Sequence, residues 1–496
     1  MSVQSASNVE PPSRLPIVLG QTTLPAEAGA AHAPVVLLPQ MLNRHGLICG
    51  ATGTGKTVTL RYLVEQLNRR NIATLVTDLK GDLSGLAAPG GANQKVRERL
   101  SLFALDERYF TGFPLTLWGR CGLPLRTTPS EMGPELLGRL LQLNDNQQGL
   151  LRVIFHMADQ QGLLLLDWKD LTALLDYVEQ HRKALTAEYG NISPASLGAI
   201  KRKMLALEPL STDTRGAASL FGEPALNLND LTQGGRIHLL DASDMQPAVY
   251  GTLLLWLLAE LYETLPESGD SQLHLVLFFD EAHLLFDDLP KALCDQVEQI
   301  VKLIRSKGVG IVFVTQNPLD IPEDILAQLG NRIQHALRAY TPNEQRAVKA
   351  AARSFRENPA IDTASAIGEL AVGEALISGL DADGVPQPVA RAMIHPPASQ
   401  LAPLTDDEKK ALVKSDPLRT TYGKKLDRES AYEQLQQRRE QLQVTKDTAP
   451  AATAGSGQAS RSTLEKSIQQ MASSFGRQFG RELMRGLMGA LTGRRR

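Results

Sequence analysis

The stretch GLICGATGTGKT, residues 46–57, decides the fold of this 496-residue chain. A short apolar strand leads into a glycine-rich loop, and Leu60, Leu63 and Leu67 then recur at helical spacing. The loop satisfies the pattern GxxxxGK followed by Ser or Thr, in the context that this pattern needs, after a strand and at the start of a helix. A chance match arises roughly a few times in a hundred in a chain of this length, and the context makes chance rarer still.

The motif predicts a phosphate-binding loop. Its glycines let the backbone curl so that successive N–H groups point at the phosphates, and the helix N-terminus adds the positive end of its dipole. We expect Lys56 to reach the β and γ phosphates of ATP and the Thr57 hydroxyl to ligate Mg²⁺. The nucleotide-binding residues predicted from the motif are Gly50, Ala51, Thr52, Gly53, Thr54, Gly55, Lys56 and Thr57.

A second motif, LHLVLFFDEAH at residues 273–283, completes the predicted site. Its apolar run predicts a strand buried on both faces, and the carboxyl end of such a strand delivers Asp280 and Glu281 to the edge where ligands bind. We expect Asp280 to hold the Mg²⁺ shell and Glu281 to orient and deprotonate the attacking water. The alternative is an exposed Asp-Glu cap on the following helix.

Other polar residues also follow predicted strands. Gln316 ends the strand in VFVTQNP, where it could contact the γ phosphate or the lytic water, or could be a turn residue at a strand end. Asp78 and Asp82 in TDLKGD either support the metal shell or cap a loop. His283 shows no metal-ligand spacing and is expected to be structural.

Composition limits the remaining possibilities. The net charge is −2, so the whole chain gives no electrostatic argument for nucleic acid. Cys49, Cys121 and Cys294 are far apart, which favours a reducing compartment. The N-terminus lacks the pattern of a secretory signal, and the most apolar run, at residues 252–261, is shorter than the about 20 residues that cross a bilayer. We therefore expect a cytoplasmic protein.

The order of predicted elements gives the fold class. Strand, glycine-rich loop, helix and strand form a βαβ unit, and further strands at residues 237–241, 274–280 and 310–316 alternate with helices. The prediction is an α/β fold with a mostly parallel central sheet of at least five strands. The predicted divisions are a flexible lead-in at 1–34 with a short strand at 17–19, an ATPase core at 35–122 and 231–395, a helical insertion at 123–230, a charged helical segment at 396–443, a linker at 444–463 and a basic amphipathic tail at 464–496.

The C-terminal tail has a distinct pattern. Apolar residues recur every three or four positions from Leu464 to Leu491, which predicts an amphipathic helix. Residues 461–496 carry eight Lys or Arg against two Glu, a net charge of +6. Such a helix could dock on its own ATPase domain or on a neighbouring subunit, bind nucleic acid, or lie on an anionic membrane, the last being less favoured.

Five sequence strings together resemble the HerA-like branch of the HerA and FtsK superfamily, and within it a bacterial group of HerA C-terminal-domain proteins. They are LNRHGLICGATGTGKT, TDLKGDLSG, LFFDEAHLLF, IRSKGVGIVFVTQNPLDIP and LGNRIQHALRAYTP. The resemblance covers roughly residues 35–395. It implies a RecA-like P-loop NTPase core, a homo-oligomer built as a hexameric ring, and ATP-driven movement of a polymer, usually double-stranded DNA.

The resemblance also implies that a neighbouring subunit completes each site with an arginine. Arg305 in IRSKG and Arg332 in LGNRIQ are the two candidates, and each could instead be an ordinary surface arginine. HerA itself carries an N-terminal β-barrel that docks a nuclease. Only about 45 residues precede the phosphate loop here, so we do not expect that partnership.

Two functions of different classes follow. The first is a hexameric ATP-dependent DNA translocase or helicase. The second is a nucleotide-switched assembly or membrane-associated scaffold ATPase that acts on a protein partner through the tail. The basic cluster at residues 201–203 could face a DNA pore, although an exposed helix face explains it as well.

Overall fold

A computed structural model describes residues 12–23, 32–207, 220–268, 272–287 and 289–447. The chain divides into two compact units. One comprises Met1–Pro124 with Asn227–Gly423, and the other comprises Leu125–Leu226 with Lys424–Arg496. The first unit contains the sheet, and the described part of the second is helical.

The first unit is built on one sheet, which has eleven strands in the described residues. In chain order the strands are β1 Ile17–Thr22, β2 Pro34–Leu37, β3 Gly46–Cys49, β4 Ala73–Asp78, β5 Leu115–Gly119, β6 Ile237–Asp241, β7 Leu275–Phe279, β8 Val309–Thr315, β9 Asn331–Gln334, β10 Glu374–Ser378 and β11 Ala390–Ile394. Their order across the sheet is β2-β1-β11-β10-β9-β3-β8-β7-β4-β6-β5. Pairing is parallel from β9 to β5 and antiparallel at the other end, so the predicted mostly parallel sheet is confirmed.

The helices connect these strands and form the second unit. In chain order they are α1 Lys56–Arg69, α2 Gln94–Leu100, α3 Pro129–Leu140, α4 Asp145–Gln160, α5 Trp168–Tyr189, α6 Pro194–Leu207, α7 Pro247–Thr264, α8 His283–Phe286, α9 Lys291–Leu303, α10 Glu323–Leu326, α11 Pro342–Arg353, α12 Thr363–Glu369, α13 Asp406–Ser415, α14 Arg419–Tyr422 and α15 Ala431–Asp447. Among the described residues no helix combines the length and the apolar character that crossing a bilayer requires.

The apolar runs of the sequence form the centre of the sheet. Every residue of β7 and β8 is buried, as expected for parallel strands with both faces covered. On one face Leu60, Leu63 and Leu67 of α1 join the core cluster. Each such leucine stabilises the fold by about 1.5–3 kcal/mol relative to an exposed position, so the helix that carries the phosphate loop is held firmly on the sheet.

The segment predicted as a flexible lead-in with one short strand, residues 1–34, contributes a strand to the sheet. Residues 17–22 form β1, which is longer than the short strand predicted there and pairs with both β2 and β11. Ile17 and Leu19 are fully buried, because they extend the core beyond the parallel part of the sheet. Residues 1–11 and 24–31 lie outside the described part of the chain.

The charged segment predicted at residues 396–443 is divided rather than continuous. Helices α13 and α14 belong to the sheet unit, where Lys409 of α13 forms a buried ion pair with Asp241 at the end of β6, at 3.2 Å. Helix α15 belongs to the helical unit and packs on α5. It extends into the predicted linker, whose remainder lies outside the described residues together with the tail at 464–496.

The helical unit is organised around α5. Its N-cap Asp167 accepts hydrogen bonds from the backbone N–H groups of Lys169 and Asp170, which fixes the helix start. The helical spacing in the sequence identifies the buried face, since Leu171, Leu174, Leu175 and Val178 are all buried. Ser430, next to α15, donates a short hydrogen bond to Asp170. The segment that leads into α15 is therefore hydrogen-bonded to the start of α5.

Candidate active site

Four neighbouring parallel strands end at one edge of the sheet, in the order β3-β8-β7-β4. The phosphate-loop motif follows β3, Gln316 follows β8, Asp280 and Glu281 follow β7, and the loop at residues 79–83 follows β4. Because the carboxyl ends of parallel strands form the ligand-binding edge of an open α/β sheet, this edge is the candidate site. Gln316 lies between the phosphate loop and the two acids.

The phosphate loop has the backbone that its glycines permit. Gly50, Gly53 and Gly55 have positive φ angles of 156°, 78° and 121°, which lie where a side chain is strained. Lys56 is only 7% exposed and begins α1. Its Nζ donates to the carbonyl oxygens of Gly50 at 2.5 Å and Ala51 at 3.0 Å. The lysine is thus folded against its own loop, at the position from which it would turn toward a phosphate.

A buried histidine, His335, packs against the phosphate loop at Gly50. A Cβ at Gly50 would lie 2.5 Å from the Cβ of His335, so only glycine allows this approach. The His335 ring contacts the Thr59 hydroxyl and the Glu374 carbonyl, each at 2.9 Å. Burial lowers the pKa of His335 to about 4, so the ring is neutral at physiological pH. His335 follows β9 directly, and a single histidine in the string LGNRIQHALRAYTP has no spacing that would predict this contact.

Glu281 is placed on the rim by an unusual backbone conformation. Its φ is +49°, a conformation that costs about 1–3 kcal/mol for a residue other than glycine. The side chain is 8% exposed, and Oε1 lies 2.7 Å from Nζ of Lys80. Nδ1 of His283 lies 3.5 Å from Oε2, so this histidine, predicted to be structural, faces the candidate base. Burial raises the pKa of Glu281, but Lys80 and Gln316 outweigh burial, and the pKa lies below its ordinary value.

Gln316 joins the phosphate loop to Glu281. Its Oε1 accepts a hydrogen bond from the Thr52 hydroxyl at 3.0 Å, and its Nε2 donates to both carboxylate oxygens of Glu281 at 3.2 and 3.3 Å. The amide therefore spans the two halves of the site. Of the two interpretations left open by the sequence, these contacts favour the functional one over a simple turn residue.

Asp280 lies behind Glu281 and is fixed through its backbone. The Tyr250 hydroxyl donates to the Asp280 carbonyl at 2.7 Å and also contacts the Thr77 hydroxyl at 2.6 Å. The residue is 8% exposed. Burial, opposed by Lys80 and reinforced by the charge of Glu281, raises the pKa of Asp280 to about 6. A buried carboxylate of this kind gains stability from a nearby cation.

The donors at this edge fit Mg²⁺. The structure places the Thr57 hydroxyl in the first turn of α1 and the Asp280 carboxylate at the end of β7. In the described ranges no group of three His, Cys, Asp or Glu side chains is arranged to hold a metal ion by itself. Mg²⁺ usually takes one or two protein ligands and completes its shell with phosphate oxygens and water, so this sparse set suits it.

The loop after β4 shows Asp78 in the capping role, one of the two roles that the sequence left open. Its carboxylate accepts hydrogen bonds from the backbone N–H groups of Lys80, Gly81 and Leu83 at 3.1, 2.7 and 2.8 Å. Asp78 therefore caps this loop. The cap presents Lys80 to Glu281, a contact that the sequence analysis missed.

The two candidate arginines lie away from this chain's own site. Arg305 is in the turn Ile304–Lys307 before β8, at the end of that strand opposite to Gln316. Arg332 pairs in register with Leu47 on β3, and its guanidinium donates to the Leu326 carbonyl at 3.1 Å. Neither is brought to the phosphate loop within one chain, as a residue acting on a neighbouring subunit's site would require.

The basic cluster at residues 201–203 is partly neutralised. Nζ of Lys201 lies 2.6 Å from Asp176 and 2.5 Å from Glu179, both on α5. Lys203 donates to the Gln142 carbonyl. These contacts are internal to the helical unit, and they favour the interpretation of the cluster as part of a helix face over a free cationic surface.

The strand order and the phosphate loop define the class of protein: the chain is a RecA-like P-loop NTPase. Residues 24–496 match the family described as Helicase HerA-like C-terminal, and the chain belongs to this family, which confirms the resemblance found in the sequence. None of the curated proteins matches the chain.

Among solved structures the chain is similar to the plasmid coupling protein TrwB in complex with a non-hydrolysable GTP analogue. The identity is 14%, the TM-score is 0.49, and the match covers 79% of this chain and 97% of TrwB. It is also similar to VirB4 of Thermoanaerobacter pseudethanolicus, with 15% identity, a TM-score of 0.45 and coverage of 77% and 96%.

Proposed function

We propose that this protein is an ATP-hydrolysing motor that assembles as a hexameric ring and moves double-stranded DNA. The observation that carries the ATPase part is the bridge made by Gln316, which contacts Thr52 of the phosphate loop and Glu281 at the same time. A polar cluster with a purely structural role would not be expected to connect the phosphate loop with the acid that follows β7. Membership of the HerA-like helicase family supports the motor part.

The proposed roles follow from the positions of the side chains. The loop at residues 50–57 cradles the phosphates, and Lys56 turns from its own carbonyls to the β and γ phosphates. Thr57 and Asp280 hold Mg²⁺, which neutralises charge on the phosphate oxygens when it is bound. Glu281 takes a proton from the attacking water, and Gln316 keeps that carboxylate oriented.

Assembly and location are parts of the same proposal. A ring would bring Arg305 or Arg332 of one subunit to the next subunit's phosphates, where an arginine stabilises the charge that develops in the transition state. We place the protein in the cytoplasm, in keeping with its three separated cysteines, all of which are free thiols. Contact of the tail with a membrane remains the less favoured part of the proposal.

A second function is favoured by the charge distribution. The net charge is −2, and Lys201 in the most obvious basic cluster is paired with two carboxylates. A nucleotide-switched assembly or scaffold ATPase that acts on a protein partner needs no cationic pore. It would use the same phosphate site, and the two functions differ in what the nucleotide cycle moves.

The test is ATPase activity measured with and without double-stranded DNA at several salt concentrations, together with a mass measurement with and without ATP. We expect DNA to stimulate turnover and the stimulation to fall steeply with salt, because contacts with the DNA backbone release counterions. We also expect the mass of a hexamer. Lys56→Ala serves as the inactive control. ATP hydrolysis that DNA leaves unchanged, with ATP-dependent assembly, would instead identify the scaffold function.

A further inference from the structure

Lys80 lies in the loop after β4 that Asp78 caps. Its Nζ contacts Oε1 of Glu281 at 2.7 Å, and its side chain is 43% exposed while that of Glu281 is 8% exposed. The two residues are brought together by the parallel pairing of β4 with β7, in which Thr77 lies opposite Phe279. A half-exposed cation thus covers the buried carboxylate that we assign as the general base.

This contact opposes general-base catalysis by Glu281. A base must offer a free lone pair to the water it deprotonates, within about 2.6–3.2 Å. Here Oε1 of Glu281 accepts from Lys80, and both oxygens accept from Gln316. In this arrangement the ammonium group occupies an acceptor position of Oε1 and holds the negative charge of the carboxylate, so Glu281 is less able to take a proton from water.

The contacts around Glu281 connect Lys80 to the phosphate loop. Gln316 contacts Thr52 of that loop and donates to Glu281, and Glu281 is paired with Lys80. The terminal phosphate of a nucleotide held by the loop would therefore compete with Glu281 for the ammonium group of Lys80.

Only the side chain of Lys80 has to move. The loop backbone is held by Asp78, which accepts hydrogen bonds from the N–H groups of Lys80, Gly81 and Leu83. The exposed lysine stem consists of four methylene groups with free rotation, so its ammonium group can change partner while its backbone stays fixed. The loop therefore fixes the backbone of Lys80 and leaves its ammonium group free to change position.

We propose that Lys80 is a positioning residue that pairs with Glu281 until ATP binds and then transfers to the γ phosphate, which frees Glu281 to receive the attacking water. This proposal rests on the proposed ATPase function. ADP lacks the γ phosphate and leaves the ion pair intact. Gln316 keeps its hydrogen bonds to Glu281 throughout, so the released carboxylate stays oriented.

A double-mutant cycle tests the exchange. Lys80→Met removes the charge with little change in volume, and Glu281→Gln removes the competing carboxylate. Affinities for ADP and for the non-hydrolysable analogue AMPPNP, each with Mg²⁺, are measured by calorimetry on the full chain. Lys95→Met, at an exposed lysine of α2, is the matched control and should leave all affinities unchanged.

The expected result is specific to the triphosphate. Glu281→Gln should tighten AMPPNP binding about tenfold, which corresponds to about 1.4 kcal/mol, because the released Lys80 forms a charge-assisted hydrogen bond with the γ phosphate. It should leave ADP binding unchanged. In the Lys80→Met background the same substitution should have no effect on AMPPNP, whereas Lys80→Arg should restore part of the preference for AMPPNP over ADP.

Two results would overturn the proposal in different ways. If the gain in AMPPNP affinity persists in the Lys80→Met background, or if ADP gains equally, general electrostatics explains it and the exchange of Lys80 is wrong. The ATPase function then still stands. If the wild-type chain binds neither AMPPNP nor ADP, the proposed function fails and this inference fails with it.

Discussion

Replacement of Glu281 by Gln separates binding of ATP from its hydrolysis. The amide is nearly isosteric with the carboxylate, and its oxygen can still accept the hydrogen bond that Gln316 donates. What is lost is the lone pair that takes a proton from water, together with the ion pair to Lys80. The lowered pKa of Glu281 means that the wild-type side chain is ionised at neutral pH, so the substitution removes a full negative charge.

The expected magnitudes differ widely for turnover and for stability. A positioned general base contributes about 10² to 10⁴ in rate, which corresponds to about 3–5.5 kcal/mol in the activation free energy. The ion pair with Lys80 should contribute less than about 1 kcal/mol to stability, because the lysine is 43% exposed and solvent screens the pair. The variant should therefore fold and bind ATP while its kcat falls by about 10² to 10⁴.

The assay is steady-state phosphate release combined with nucleotide binding measured on the same preparations. Glu263→Gln, at an exposed carboxylate of α7, is the matched control and should keep wild-type turnover. A Glu281→Gln variant with unchanged kcat would show that Glu281 is not the general base. A variant that neither binds ATP nor hydrolyses it would show that Glu281 has a structural role instead.

Three further predictions test other parts of the site. Burial raises the pKa of Asp280 from 3.8 to about 6, so its charge destabilises the metal-free fold above pH 6 and not below pH 4. Asp280→Asn should therefore stabilise the metal-free protein in urea unfolding at pH 8 by up to about 3 kcal/mol, with the gain lost near pH 4, and equal effects at both pH values would contradict the shift. Gln316→Leu should lower kcat by about tenfold while KM changes little, since it breaks the link to Glu281, and a change in KM alone would argue against that link. If Arg305 or Arg332 acts in trans, its Ala variant should lose about 10³ to 10⁵ in turnover and regain some when mixed with Glu281→Gln subunits, whereas losses below about tenfold for both variants would exclude the role.

The centre of the site could be predicted because its determinants are local in the sequence. The motif places glycines at residues 50, 53 and 55, where the loop needs positive φ angles, and α1 begins directly after them. The acids follow an apolar run that has to be a buried strand. Each of these features needs only a few consecutive residues to specify it.

Lys80 could not be predicted because its partner is distant in the sequence. The contact with Glu281 depends on the pairing of β4 with β7. The sequence of neither strand specifies which strand lies beside it in the sheet. A local signal was present in the turn after β4, where Asp78 precedes the N–H groups that it caps. That signal identifies the turn and does not reveal what the turn presents.

The antiparallel end of the sheet was only partly foreseen for the same reason. The strands β10 and β11 pair with each other in antiparallel orientation, and β10 also pairs with β9. Strand β1 pairs with β11, where Gly20 lies opposite Ile394, a register that no short-range pattern encodes. The sequence therefore predicts only a short strand at 17–19 in this segment, whereas the strand in the sheet is Ile17–Thr22.

ATP hydrolysis at the phosphate loop is tested by measuring phosphate release by the purified chain and by Lys56→Ala, with and without Mg²⁺. We expect Mg²⁺-dependent turnover by the wild-type chain and none above background for the variant, because the phosphates lose the cation that α1 holds at the loop. Circular dichroism should show that the variant keeps its fold. Turnover by Lys56→Ala at the wild-type rate would mean that residues 50–57 are not the site of hydrolysis.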